Sequence, residues 1–255
     1  MIKKIFIFKI AIAFLVNLLA NDLELEKIFH KYEADGTIVI KSLDEKKVYI
    51  FNENRAKIFF SPASTFKIPN SLIALNEGVV DKNSVIVWDK KIREYEPWNT
   101  NQTLKSAFKN SCVWCYKEFA LKIGFEKYKK YLKILDYGDK NIGVNISDFW
   151  LDESLKINTF GQVEFLKKLY KNELPFKKDD IEVLKDIMLD ENSLEYKIFA
   201  KTGWEGKYGW YVGFIETKND VWFFATNIDT KSKDDLGKRK AITLEALEIK
   251  GILKR

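Results

Sequence analysis

Between Tyr196 and Asn227 the chain reads "YKIFAKTG" and then "YGWYVGFIETKNDVWFFATN", three β-rich runs with only short turns between them. Runs dense in aromatic and β-branched residues and bounded by Gly, Asn and Asp are strands. Connections this short join antiparallel neighbours. The other end of the chain carries a matching signal. "GTIVIKSLDEKKVYIFN" reads as a hairpin, with Ile38 to Ile40 and Val48 to Phe51 as its arms, and "KIFF" at Lys57 to Phe60 reads as a short third strand. From about residue 85 to 190 the period changes to that of helices. Val113, Tyr116, Ala120 and Ile123 share one face; Gly124 interrupts, and Tyr128, Leu132 and Leu135 resume. Val163, Leu166 and Tyr170 mark another helix, Ile181, Leu184 and Met188 one more, and Ile242, Ala246 and Ile249 a last one. Strands at both ends with helices between them predict an α+β domain. Its central antiparallel sheet is flanked by helices, carries an inserted, mostly helical subdomain, and pairs the N- and C-terminal strands across that insertion.

The first residues, "MIKKIFIFKIAIAFLVNLLAND", have the grammar of a cleaved leader: basic Lys3 and Lys4, an apolar run, and Ala20 before the polar Asn21. The run is shorter than the roughly 20 residues of a membrane-spanning helix, and Lys9 interrupts it. Residues 1–20 are therefore read as a signal peptide and 21–255 as one domain. That predicts export to the periplasm, with no stable membrane insertion after cleavage. The formal charge of +6 falls to +3 once Lys3, Lys4 and Lys9 leave. So small an excess, scattered along helices, gives no footprint for nucleic acid. Oligomeric state stays open between monomer and homodimer.

Histidine is nearly absent. His30 stands alone, in the charged helix "LELEKIFHKYEADG". One histidine excludes His-based zinc sites of the usual kind, so no metal is expected. It also argues against a Ser-His-Asp triad. A hydrolase built on this chain needs another base. Cys112 and Cys115 are spaced C-x-x-C, but the sequence is helical on both sides and lacks the strand that precedes a thioredoxin-type site. Two buried thiols and a local disulfide remain equally compatible with it.

"SPASTFKIPNSLIAL" places Ser64 three residues before Lys67, at the start of an apolar helix. Alone, a serine there is a helix cap. The chain also holds a second Ser-x-x-Lys, Ser106 to Lys109. Three further elements follow Ser64 in order: Ser111-Cys112-Val113 at a helix start, Tyr137-Gly138-Asp139 in a turn, and Lys201-Thr202-Gly203 at a strand end. S-x-x-K, a second serine and K-T-G form the signature set of the penicillin-recognising serine enzymes. Ser64 fits that order; Ser106, five residues before Ser111, does not.

From about Gly36 to Lys250 the chain resembles one branch of that superfamily, the class D β-lactamases or oxacillinases. "PASTFKIPNSLIAL" is similar to the nucleophile helix and "EPWNTNQTLKSAFKNSCVW" to the stretch leading into S-x-V. "DYGD" stands where the family has Y-G-N, "FWL" at Phe149 to Leu151 matches its tryptophan loop, and "KTGWEGKYGWYVGF" and "DDLGKRKAIT" resemble its third motif and carboxylate-binding segment. Asp139 for Asn is the main departure, in a motif read as chiefly structural. The cysteines flanking Val113 are a second. Glu96-Pro97-Trp98-Asn99 superficially resembles the class A deacylating glutamate but precedes the second-motif serine, and is read as a loop.

The resemblance implies a β-lactam substrate and a Ser64 acyl-enzyme. It also implies carbon dioxide as the one addition, carboxylating the Lys67 amine to a carbamate base. It gives Ser111 a proton relay, Val113 the dry side of the pocket, and Trp150 an indole N–H toward the carbamate. Lys201, Thr202 and Gly203 would orient substrate, Ser64 and Trp204 N–H groups would form the oxyanion hole, and Arg239 would bind the substrate carboxylate. Two rivals share the scaffold: a penicillin-binding transpeptidase and a β-lactam sensor domain, both acylated but slow to deacylate. Val113, where transpeptidases usually carry Asn, argues against the first.

Overall fold

The computed structural model describes residues 22–254, so the expected leader lies outside the described residues. Helix α1 (Leu23–Lys31) leads into strands β1 (Gly36–Ser42) and β2 (Val48–Phe51) and the single turn α2 (Glu53–Ala56). The inserted lobe contains α3 (Lys67–Asn76), the small strands β3 (Val85–Ile86) and β4 (Gln102–Thr103), α4 (Leu104–Lys109), α5 (Val113–Ile123), α6 (Phe125–Leu135), α7 (Thr159–Tyr170) and α8 (Lys178–Met188). The chain then returns through β5 (Leu189–Asn192), β6 (Tyr196–Trp204), β7 (Tyr208–Thr217) and β8 (Val221–Asp229), and ends on α9 (Leu236–Ile249).

The main sheet has the order β2-β1-β8-β7-β6-β5 and is antiparallel throughout. The terminal strands do pair across the insertion: β1 runs beside β8 from Gly36↔Ile228 to Ser42↔Trp222. Side chains alternate between two cores, as a period of two requires. Ile38, Ile40, Phe224 and Ile228 face α1 and α9. Val39, Phe214, Phe223 and Ala225 face the inserted helices.

Three local features differ from the sequence reading. "KIFF" is not a strand: α2 takes up the preceding residues, Ile58 and Phe59 stay exposed, and only Phe60 makes an isolated bridge, to Ile157. A β-rich run without a neighbouring strand has nothing to pair with. The short pair Val85↔Thr103 and Ile86↔Gln102 lies inside the stretch read as helical. β5 was also not foreseen, because "LDEN" is short, polar and contiguous with α8.

Two hydrogen bonds fix the segment before Ser64 against distant parts of the fold. The Trp210 indole N–H donates to the Ser61 carbonyl at 2.8 Å, tying the segment to β7. Ser61 Oγ donates to the Trp150 carbonyl, also at 2.8 Å. One serine thus bridges the sheet, the Ser64 turn and the tryptophan loop.

Candidate active site

Ser64 caps no helix. It sits inside a 3-10 turn, Ala63–Phe66, that runs directly into α3, and neither segment has a side-chain cap. Ala63 enters the turn with φ +47°. The first N–H groups of such a segment lack intrahelical acceptors. Lys67, one turn on, shares the face of Ser64. Its Nζ lies 3.1 Å from Ser64 Oγ. The lysine is 1 % exposed, its amine lies 4.8 Å from the centre of the Tyr116 ring, and among the described residues no carboxylate pairs with it. Burial, reinforced by the charge of Lys201, holds the Lys67 amine well below the usual lysine range. Beneath it Ser71 Oγ donates to the Lys67 carbonyl at 2.7 Å and lies 2.7 Å from the Tyr116 hydroxyl. Ser71 lies four residues after Lys67 and so on its face, and the helical period that places Tyr116 on one face of α5 says nothing of the hydroxyl it brings beside Ser71.

Ser111 comes to the same place from the insertion. It closes α4 in a left-handed conformation, φ +52°, just before α5. Its Oγ accepts a 2.6 Å hydrogen bond from Lys201 Nζ. Lys201 is buried on β6, and burial, with Arg239 and Lys109 adding to it, lowers its amine to about 7. The motif residues thus form two pairs, Ser64 with Lys67 and Ser111 with Lys201, and the two lysines are near enough for the Lys201 charge to act on Lys67. Val113 is half-buried at the first position of α5.

Gly203 explains how β6 reaches the Ser64 turn. A Cβ there would stand 2.9 Å from the Pro62 carbonyl oxygen and 3.0 Å from Thr65 Cγ2. Only a residue without a side chain lets the strand lie against the turn. Thr202 is half-buried beside it, its Oγ1 3.3 Å from Lys201 Nζ. Trp204, at the end of β6, donates its indole N–H to Thr230 Oγ1 at 3.0 Å. Arg239, near the start of α9, is buried. Its Nη1 donates to the Gly203 carbonyl at 2.6 Å and its Nε to the Leu236 carbonyl at 2.8 Å. Burial lowers its guanidinium to about 10.

Trp150 is fully buried and stacks on Phe66, the residue before Lys67, at 5.7 Å between ring centres. Its indole N–H is buried without a hydrogen-bond partner. A buried N–H left unpaired costs free energy, so this one marks a place for an acceptor. A lysine amine whose affinity for protons burial lowers, and a spare buried N–H donor on a ring stacked against the neighbouring Phe66, fit an N-carboxylated Lys67.

The decoys separate cleanly. Ser106 forms a capping box with Thr103 at the start of α4. Glu96 lies in an exposed 3-10 turn. Asp139 accepts the backbone N–H groups of Asn141 at 3.2 Å and Lys156 at 3.0 Å, a turn-building role. His30 is a surface residue beside Glu26. Cys112 and Cys115 form a disulfide. No group of three or more His, Cys, Asp or Glu side chains among the described residues could hold a metal ion.

The fold, with Ser64-Lys67, Ser111 and Lys201 gathered at the seam between sheet and insertion, defines a transpeptidase-like, penicillin-recognising serine domain. A family model described as the penicillin-binding protein transpeptidase domain matches residues 34–248. β-Lactamase OXA-2 of Salmonella typhimurium is 43 % identical over 85 % of this chain and 80 % of its own. The crystal structure of the class D β-lactamase YbXI from Nostoc superposes with a TM-score of 0.88 at 39 % identity, covering 90 % of this chain and 99 % of that one. FUS-1 (OXA-85), a class D β-lactamase from Fusobacterium nucleatum subsp. polymorphum, gives 0.89 at 34 % identity, covering 92 % and 100 %. The chain belongs to the class D β-lactamase family.

Proposed function

We propose that this protein hydrolyses the ring amide of penicillin-type antibiotics through a Ser64 acyl-enzyme and so confers resistance to them. The observation that carries the reading is the Lys67 amine, buried, without a carboxylate partner among the described residues and 3.1 Å from Ser64 Oγ. A serine hydroxyl is a weak nucleophile until a neighbouring base takes its proton. The buried lysine supplies that position in a chain whose one histidine is on the surface.

In this reading Ser64 Oγ attacks the lactam carbonyl. The N–H groups of Ser64 and Trp204 receive the oxyanion, whose charge develops only on attack. Ser111, hydrogen-bonded to Lys201, passes a proton to the leaving nitrogen. Lys201, Thr202 and Gly203 orient the substrate along β6, and Lys201 adds positive charge. Val113 and Trp150 keep the pocket beside Lys67 dry. Carboxylated by carbon dioxide, Lys67 would supply an anionic oxygen base toward the Ser64 hydroxyl and later toward water, with the unpaired Trp150 N–H as its donor.

The test is turnover of benzylpenicillin in degassed buffer with and without bicarbonate, alongside a carbon-13 search for a carbamate signal. Activity is expected to fall on carbon dioxide depletion and return with bicarbonate, and Trp150→Phe to need more bicarbonate for the same rate. Full activity without a carbamate signal would remove the carboxylated lysine and leave a neutral Lys67 amine as base.

Arg239 offers a guanidinium beside Thr202 and Gly203, suited to the substrate carboxylate. Such an interaction exists before and during reaction, so its loss mainly raises KM. Arg239→Ala is expected to raise KM for carboxylate-bearing β-lactams roughly 10-fold or more, with a smaller fall in kcat. Steady-state kinetics check this, and an unchanged KM with a collapsed kcat would contradict it.

We further propose that the protein is exported, with residues 1–20 as the leader and 21–255 as one catalytic domain. The disulfide supports this, since such bonds persist in oxidising compartments.

A further inference from the structure

The C-x-x-C motif has no part in the chemistry proposed above, yet it encloses it. Cys112 and Cys115 are both fully buried, and the ring their disulfide closes contains Val113, with Ser111 immediately before it. Ser111 holds a left-handed backbone, φ +52°. A residue with a Cβ keeps that conformation only when its surroundings impose it. On one side the end of α4 imposes it: the Ser111 N–H donates to the Phe108 carbonyl at 3.2 Å and the Cys112 N–H to the Ala107 carbonyl at 2.8 Å. On the other side is the first turn of α5, where Cys112 is the N-cap and its sulfur accepts the Cys115 N–H at 3.3 Å. Sulfur is a weak acceptor. Helices ordinarily put a Ser, Thr, Asp or Asn oxygen there. Here a covalent bond joins the cap to the third residue of the helix.

We propose that the Cys112–Cys115 disulfide is a positioning element for the reaction, fixing the first turn of α5 so that Ser111 Oγ stays against Lys201 Nζ. The proposal rests on the roles given to Ser111 and Lys201. It makes full activity a property of the oxidised protein. A dithiol reductant that delivers two electrons and two protons breaks the S–S bond into two thiols and itself becomes a disulfide. Ser111 then keeps only its backbone hydrogen bonds and the Lys201 contact, without the covalent closure behind it.

The test uses Cys112→Ser/Cys115→Ala, which keeps an oxygen cap and removes only the covalent closure. Expected is a fall in kcat of roughly 10-fold from misplacement of Ser111, with KM within about twofold. The alkaline limb of the kcat profile should also move to lower pH. A hydroxyl acceptor favours charged Lys201, and its loss favours the neutral amine. The other titratable groups around Lys201 are Lys67 on α3, Lys109 on α4, Asp190 on β5 and Arg239 on α9, and the double substitution leaves all four in place. A merely structural bond would lower the melting temperature and leave kcat and the limb where they are; that result overturns the proposal. Ser111→Ala, measured in parallel, separates the two levels. If it is as active as the parent, the role of Ser111 is wrong. If it is inactive while the double variant matches the parent, only the positioning role is wrong. Should the double variant not fold, the parent is reduced with dithiothreitol and its thiols counted by mass. Activity that falls with the reduced species and returns on reoxidation supports the proposal, and full activity of the reduced species overturns it.

Discussion

Ser64→Ala is expected to abolish penicillin hydrolysis, by roughly 10⁴-fold or more in kcat, and to abolish covalent labelling. A nucleophile's loss cannot be offset by its base, because the acyl-enzyme no longer has an atom to form on. Ser106→Ala is the matched control, since Ser106 belongs to the same short pattern but sits at the third position of α4, where its Oγ accepts the N–H of the cap residue Thr103. It is expected to cost about 1 kcal/mol of stability or less, because Thr103 keeps its cap and only the reciprocal arm of the capping box is lost, and to leave labelling intact. Penicillin pulse-labelling followed by peptide mapping reads both.

Lys67→Ala is expected to have the second largest effect, of a different kind. General-base assistance contributes roughly 10²- to 10⁴-fold per step. Both acylation and deacylation draw on this one buried group. Acylation should therefore slow, and the acyl-enzyme that does form should persist, turning a hydrolase into a penicillin-binding protein. Lys67→Arg should not restore turnover, because a guanidinium does not give up its proton, whereas burial lowers the proton affinity of the Lys67 amine. The parent should lose activity as pH falls, since protonation of Lys67 removes the base. Its low affinity for protons, caused first by burial and then by Lys201, keeps the base available toward neutral pH. Acid-side rate profiles of acylation and deacylation check this, and Lys67→Ala turning over at the parent rate would contradict it.

Much of this was legible in the sequence because it is local or periodic. Ser64 to Lys67 is one helical turn, and K-T-G ends a run whose strand character is plain. The pairing of β1 with β8 followed from where the β-rich runs stand. What escaped depends on distance in the chain. Ser61 looks like any loop serine until its Oγ reaches Trp150, 89 residues away. Resemblance alone assigns Arg239 to the substrate carboxylate; that α9 buries it over β6, where the Gly203 carbonyl takes its Nη1, is visible only in the fold. The spacing of Cys112 and Cys115 allowed free thiols as well as a disulfide, and only the fold of the α5 start distinguishes them. "KIFF" failed because strand character is a property of a pair, and the fold puts no partner beside it. The motif serine also proved to sit within a 3-10 turn instead of capping a helix, a distinction of backbone geometry that composition does not encode.

The most direct test of the account is time-resolved mass spectrometry after a benzylpenicillin pulse, on the parent and on Lys67→Ala. The account predicts one transient adduct on the parent, mapped to the peptide containing Ser64, and the same adduct persisting on Lys67→Ala. An adduct on a peptide lacking Ser64, or parent turnover with no adduct at any time, would contradict it.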